Sequence, residues 1–120
     1  MAPRLLYVDD EEALREIVQT HLALEGYDIE TVAGGSEAID ILAKKRFDLV
    51  LLDLHMPKVD GLAVMRSMSK QGLETRIIVL SGDAEPAMLE QCAHLGAEDY
   101  LTKPYNFREL VVAIERVMAT

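Results

Sequence analysis

Apolar runs and amphipathic stretches alternate from one end of this chain to the other. Leu5-Leu6-Tyr7-Val8 is an apolar run of strand length. From about Glu11 to Glu25, Leu14, Ile17, Val18 and Leu22 recur at helical spacing. Gly26 follows where a helix C-terminus favours a left-handed residue. Tyr27 to Val32 alternates as a strand does, with Ile29 toward the core. Gly34-Gly35-Ser36 predicts a turn and an N-cap. The helix it opens carries Ala38, Ile39 and Leu42 and runs to about Arg46.

Leu49-Val50-Leu51-Leu52 is unbroken apolar sequence between Asp48 and Asp53. A run without alternation suits a central parallel strand covered on both faces. Met56 to Gly61 predicts a loop, followed by a helix with Leu62, Val64, Met65 and Met68 that stops at Gly72. Ile77-Ile78-Val79-Leu80 predicts a second buried strand, ending at Ser81-Gly82. Pro86 suits the first turn of a helix that carries Leu89, Cys92 and Ala93 and stops at Gly96. Asp99 to Thr102 predicts a short last strand. The last helix starts near Asn106, with Leu110, Ala113, Ile114 and Val117 inward and Val111 and Met118 adding apolar surface beyond that stripe.

Five strands and five helices in strict alternation predict an α/β fold, a parallel sheet with helices on both faces. Right-handed crossovers leave few topologies. Ligands of such sheets bind at the carboxyl ends of the strands. The first strand ends in Asp9-Asp10, the third in Asp53, the fourth in Ser81 and the fifth in Lys103-Pro104. Each alone has an ordinary reading. An Asp at a strand end is often a turn or cap residue, a lone Lys is usually solvated, and Tyr100 alone is a half-buried strand aromatic. Their coincidence at one end of one sheet is what carries weight. Three carboxylates this close repel one another and raise a pKa unless compensated. A hard dication such as magnesium takes oxygen ligands and needs only one or two direct carboxylates. Lys103 adds a point charge and Ser81 a hydroxyl. Those are the parts of phosphoryl transfer, with Asp53 as the nucleophile.

Composition narrows this picture. The 120 residues fit one domain, 1–120, and half of them are hydrophobic, enough for an unstapled core. The single cysteine, Cys92, cannot form an internal disulfide and suits a reducing, cytoplasmic setting. A net charge of −9 disfavours direct nucleic-acid binding. Lys44-Lys45-Arg46 reads as a helix C-terminus, where cations suit the macrodipole. No stretch has the apolar length for a membrane span. His21, His55 and His94 lack metal-ligand spacing as side chains.

The residues resemble the receiver domains of two-component response regulators over essentially the whole chain. Val8-Asp9-Asp10-Glu11 is similar to the family's acidic pair. Asp53-Leu54-His55-Met56-Pro57-Lys58-Val59-Asp60-Gly61 is similar to its phosphoacceptor with the following Met-Pro and Asp-Gly. Leu80-Ser81-Gly82 resembles its hydroxyl position, and Asp99-Tyr100-Leu101-Thr102-Lys103-Pro104 its switch aromatic and lysine. The resemblance implies the flavodoxin-like strand order 2-1-3-4-5 and a cis Lys103-Pro104 bond. It implies Mg2+ on Asp10, Asp53 and the backbone carbonyl of His55, with Asp9 acting through water. It implies phosphorylation of Asp53 by a sensor histidine kinase or histidine phosphotransfer protein. Ser81 and Tyr100 would then form a switch read on the face of the fourth helix, last strand and last helix, by an effector domain or a second copy in a homodimer. His55 and Asp83 lie where the family tunes phosphoryl lifetime. The chain would be a signalling domain rather than an enzyme acting on an external substrate.

Three other readings compete, one of them a degenerate receiver used only as a docking module, against which the presence of Asp10, Asp53 and Lys103 speaks. Phosphatases of the haloacid dehalogenase type share a strand-end Asp nucleophile and magnesium, but place a second Asp where this chain has His55. A flavin carrier needs hydroxyls and glycine after the first strand, where this chain has Asp9-Asp10-Glu11-Glu12.

Overall fold

The computed structural model describes residues 2–83 and 85–119. Five strands alternate with five helices: β1 (Arg4–Val8), α1 (Glu12–Leu24), β2 (Asp28–Val32), α2 (Gly35–Lys44), β3 (Leu49–Asp53), α3 (Gly61–Lys70), β4 (Arg76–Ser81), α4 (Pro86–His94), β5 (Asp99–Thr102) and α5 (Phe107–Met118). All pairings are parallel, in the order β2-β1-β3-β4-β5. Strands alternate their side chains between faces, so each contributes to two cores. Leu6, Val8, Val50, Leu52, Ile77 and Val79 pack beneath α2, α3 and α4. Leu5, Tyr7, Leu49, Leu51, Ile78 and Leu80 pack beneath α1 and α5. β3 is buried at every position, as its unbroken apolar run requires.

Helix ends follow local chemistry. Gly26 and Gly96 hold left-handed φ angles of 95° and 104° just beyond α1 and α4. Asn106 and Glu109 form a reciprocal capping box at the start of α5. Asp60 caps α3, its side chain accepting from the Ala63 N–H at 2.9 Å.

Gly34, within the turn read from the sequence, is the N-cap of α2 and offers no side-chain cap. Gly35 packs against Val59, where a Cβ would lie 2.2 Å from the Val59 carbonyl oxygen. The structure departs from the sequence pattern in three places. α2 stops at Lys44 instead of Arg46. Ile17 is half exposed, at 52%, because α1 turns Val18 and Leu22 onto the sheet and leaves Ile17 on its flank. On α5 the exposed apolar residue is Val112, whereas Val111 and Met118 pack against the core.

Candidate functional site

The pairing register gathers the strand-end residues. Val8 stands beside Leu52 and Asp53 beside Leu80, so Asp9, Asp10 and Asp53 meet just past the end of the sheet. One oxygen from each of these three carboxylates lies within 4.8 Å of the others. Asp9 and Asp53 are buried, while Asp10 is exposed, so the cluster opens to solvent on the Asp10 side. Lys103 extends from the end of β5. Its Nζ lies 3.4 Å from both Asp9 Oδ2 and Asp53 Oδ1. The Lys103-Pro104 bond is cis, as the resemblance implied.

The electrostatics follow from burial and crowding. Burial is the largest influence on the Asp53 carboxyl and drives it above its ordinary value. Asp9 adds to the rise, while Lys103 and the His55 N–H oppose it. Burial would lower the Lys103 ammonium, but Asp53 and Asp9 together reverse this and hold it above its ordinary value. One ammonium thus pairs with two of the three carboxylates. An all-oxygen cluster with surplus negative charge fits a hard dication. Among the described residues these three are the acidic group able to hold one.

The backbone beneath Asp53 is tightly placed. Its Oδ1 accepts the His55 N–H at 3.3 Å. Gly61, at the start of α3, sits against it: a Cβ there would lie 2.7 Å from the Asp53 carbonyl oxygen and 2.9 Å from Leu54 Cα. The Asp60-Gly61 pair therefore caps a helix and lets that helix approach the strand end.

Ser81 is fully buried at the end of β4, and its Oγ accepts the Asp83 N–H at 3.0 Å. Tyr100 is half-buried on β5. Its hydroxyl donates to the Asp83 carbonyl and lies beside Ser81. The His55 imidazole is exposed at the rim, with Nε2 3.8 Å from Asp83 Oδ2. It stands outside the carboxylate cluster.

Several contacts went unread in the sequence. Tyr7, buried in β1, donates its hydroxyl to Asp9 Oδ2 at 2.8 Å. The Glu11 N–H donates to Asp9 Oδ1 at 2.9 Å, and the Arg15 guanidinium to the Asp9 carbonyl at 2.9 Å. Strand periodicity carried a signal for Tyr7, because residues two apart share a face. Beside Lys103, an apolar groove of about 450 Å³ runs between Leu14, Ile17, Val18, Pro104, Phe107 and Leu110.

Comparison with known proteins gives the same pattern. The response regulator receiver domain model matches residues 5–115. The response regulator MprA of Mycobacterium sp. (strain KMS) is 39% identical over 120 residues, covering 98% of this chain and 51% of that protein. The chain thus spans about half the length of the curated relatives it matches. Among solved structures, the Vibrio cholerae chemotaxis protein CheY4 superposes with a TM-score of 0.90 at 30% identity, covering 98% of this chain and 99% of that one. The receiver domain of the sensor histidine kinase PA1611 from Pseudomonas aeruginosa PAO1 gives 0.86 at 27% identity with full coverage of both chains. It has a magnesium ion coordinated in its active site cleft.

Proposed function

Because the chain belongs to the response regulator receiver domain family, we propose that it is a phosphorylation-driven signalling switch whose phosphoacceptor is Asp53. The observation that carries this reading is the buried Asp53 carboxylate at the end of the central strand, with Lys103 3.4 Å away and two further carboxylates beside it. Magnesium would be held by Asp10, Asp53 and the backbone carbonyl of His55, with Asp9 acting through water. When bound it supplies positive charge against the carboxylates and the incoming phosphoryl oxygens.

The residues of the chain then divide the work. An Asp53 carboxylate oxygen attacks the phosphorus of a phosphohistidine on a sensor histidine kinase or histidine phosphotransfer protein. The P–N bond breaks, its electron pair stays on the imidazole nitrogen, and that nitrogen takes a proton from solvent. Lys103, already beside Asp53, neutralises charge on the transferring group. The Ser81 hydroxyl donates to the phosphoryl group once it is attached, while its oxygen can still accept the Asp83 N–H. Tyr100, bonded to the Asp83 carbonyl, carries that change to the face of α4, β5 and α5. An effector domain or a second copy of the chain would read it there. Turnover of an external substrate plays no part in this reading.

A protein donor must also dock. The apolar groove beside Lys103, with half-exposed Ile17 on its rim, supports a docking face for the donor. No helix among the described residues is long and apolar enough to cross a membrane, and a cytoplasmic setting suits a kinase-linked switch. The test is labelling by acetyl phosphate with Mg2+, read by intact mass. The parent should gain one phosphoryl group and Asp53→Asn none. Full labelling of the variant would place the nucleophile elsewhere.

A further inference from the structure

Asp9 is held more firmly than a simple metal ligand needs to be. It is fully buried, and both of its oxygens are engaged. Oδ1 accepts the Glu11 N–H at 2.9 Å. Oδ2 accepts the Tyr7 hydroxyl at 2.8 Å and lies 3.4 Å from Lys103 Nζ. Tyr7 is itself fully buried in the sheet, and half-buried Tyr105 brings a second phenol against it. A phenol keeps its proton at neutral pH, so the Tyr7 hydroxyl is a donor to Asp9 there. A buried tyrosine usually finds some partner for its hydroxyl. Here the partner is a carboxylate of the proposed phosphoryl-transfer site, on the same oxygen that faces the lysine.

Resting on the magnesium-site reading above, we propose that Tyr7 is a positioning residue for that site. Its hydroxyl takes a lone pair of Asp9 Oδ2, the oxygen that Lys103 also approaches, which disfavours direct coordination through that oxygen and keeps Asp9 a water-mediated partner. It also offsets part of the Asp9 charge. Lys103 is therefore shared evenly between Asp9 and Asp53, at 3.4 Å from each, and stays available to the reacting carboxylate. Without the hydroxyl, Asp9 would express its full charge. Magnesium would bind more tightly, and Lys103 would be drawn from Asp53 toward Asp9. Affinity and transfer rate would then move in opposite directions, which loss of packing alone does not produce.

Tyr7→Phe removes the hydroxyl and keeps the ring. Mg2+ affinity by calorimetry and the labelling rate with acetyl phosphate at saturating Mg2+ are measured for the parent, Tyr7→Phe, Tyr27→Phe and Asp10→Asn. The expected result is a several-fold tighter Mg2+ dissociation constant in Tyr7→Phe together with a several-fold slower rate, and parent behaviour in Tyr27→Phe. An unchanged or weaker Mg2+ affinity in Tyr7→Phe overturns the proposal, as does an equal change in Tyr27→Phe. If the parent shows no saturable Mg2+ binding, or Asp10→Asn binds as the parent does, the metal-site reading fails first and the Tyr7 proposal falls with it. A normal loss of binding in Asp10→Asn with no response in Tyr7→Phe removes the Tyr7 proposal alone.

Discussion

Replacing Asp53 by Asn should stabilise the metal-free protein and destabilise it relative to the parent once Mg2+ is present. At an effective dielectric of about 20, Lys103 at 3.4 Å attracts the Asp53 charge by about 5 kcal/mol. Asp9, within 4.8 Å, repels it by about 3.5 kcal/mol or more. The difference favours the charge by no more than about 1.5 kcal/mol. Against this stands the desolvation of a carboxylate that is only 4% exposed, a penalty of several kcal/mol. The charge on Asp53 therefore costs the folded state on the order of 2 kcal/mol. Asn keeps the shape and an oxygen for the His55 N–H but removes that cost. For 120 residues, 1 kcal/mol corresponds to about 4 °C in Tm, so the variant should melt about 8 °C higher in chelator.

The pH dependence has a defined sign. The folded state holds the Asp53 proton to higher pH than the unfolded chain does, because burial raises this carboxyl. Stability from this group is therefore present at low pH and is lost as pH rises from the ordinary carboxylate value through the raised one. The gap between variant and parent should be full at neutral pH and close as pH falls through that window. Magnesium reverses the order. At 100 times its dissociation constant, a ligand bound only by the folded state adds about 2.7 kcal/mol, which exceeds the cost it offsets, and the variant should lack most of this gain. Thermal melts of both proteins in chelator and in Mg2+, at several pH values, provide the assay. If Asp53→Asn melts at or below the parent in chelator, burial does not strain this carboxylate. If the order is the same in Mg2+, the metal does not use it.

Three further outcomes follow from the geometry. Gly61→Ala places a Cβ 2.7 Å from the Asp53 carbonyl oxygen and should cost about 1–3 kcal/mol in urea unfolding, with slower labelling of Asp53; an unaltered midpoint would mean α3 can withdraw freely. Ile17→Glu, at a half-exposed position, should leave the melt and the acetyl phosphate rate intact while slowing transfer from a phosphohistidine protein about tenfold, equivalent to about 1.4 kcal/mol of docking energy. An unchanged rate of transfer from the phosphohistidine protein would clear the groove of any docking role. Ser81→Ala should reduce the change in Tyr100 ring NMR signals on adding a phosphoryl mimic, and identical responses in parent and variant would remove Ser81 from the switch.

The elements were legible because each has a long apolar pattern and clear punctuation. Five strands and five helices appear where the runs and glycines put them, and β5 begins and ends at Asp99 and Thr102 as read. Periodicity alone could not give the strand order, which came from the resemblance and is the observed one. Misreadings fell where tertiary contacts override local signals. α2 was read to about Arg46 but ends at Lys44, where Lys45 turns to an extended conformation. Ile17 fits the helical stripe, but α1 rests on the sheet through Val18 and Leu22, leaving Ile17 at a groove that only the folded chain defines. At the site, the charged residues were visible at strand ends. The groups that hold them were not, because the Glu11 N–H, the Arg15 guanidinium and the Tyr7 hydroxyl become partners of Asp9 only through folded geometry.

The loop after β4 explains how a charge at Asp53 could reach a surface. Asp83 offers three different groups to three different neighbours. Its N–H donates to Ser81 Oγ, its carbonyl accepts from Tyr100, and its carboxylate lies 3.8 Å from the rim imidazole of His55. Under the proposed mechanism, Ser81 must turn its hydroxyl toward the phosphoryl group, and any shift of Ser81 pulls on the segment that also holds Tyr100. A hydrogen bond to a charged group contributes about 1.5–3 kcal/mol. Reversing a two-state population from 1:99 to 99:1 needs roughly 5.5 kcal/mol. Ser81 alone therefore biases the switch without completing it. Lys103 has the position to supply the rest, since it sits 3.4 Å from Asp53 and directly follows the strand that carries Tyr100. β4 and β5 are neighbours in the sheet, with Ser81 opposite Thr102. Under that mechanism a pull through Ser81 and a pull through Lys103 act on adjacent strand ends, and Tyr100, on β5 and bonded to the Asp83 carbonyl, is a neighbour of both.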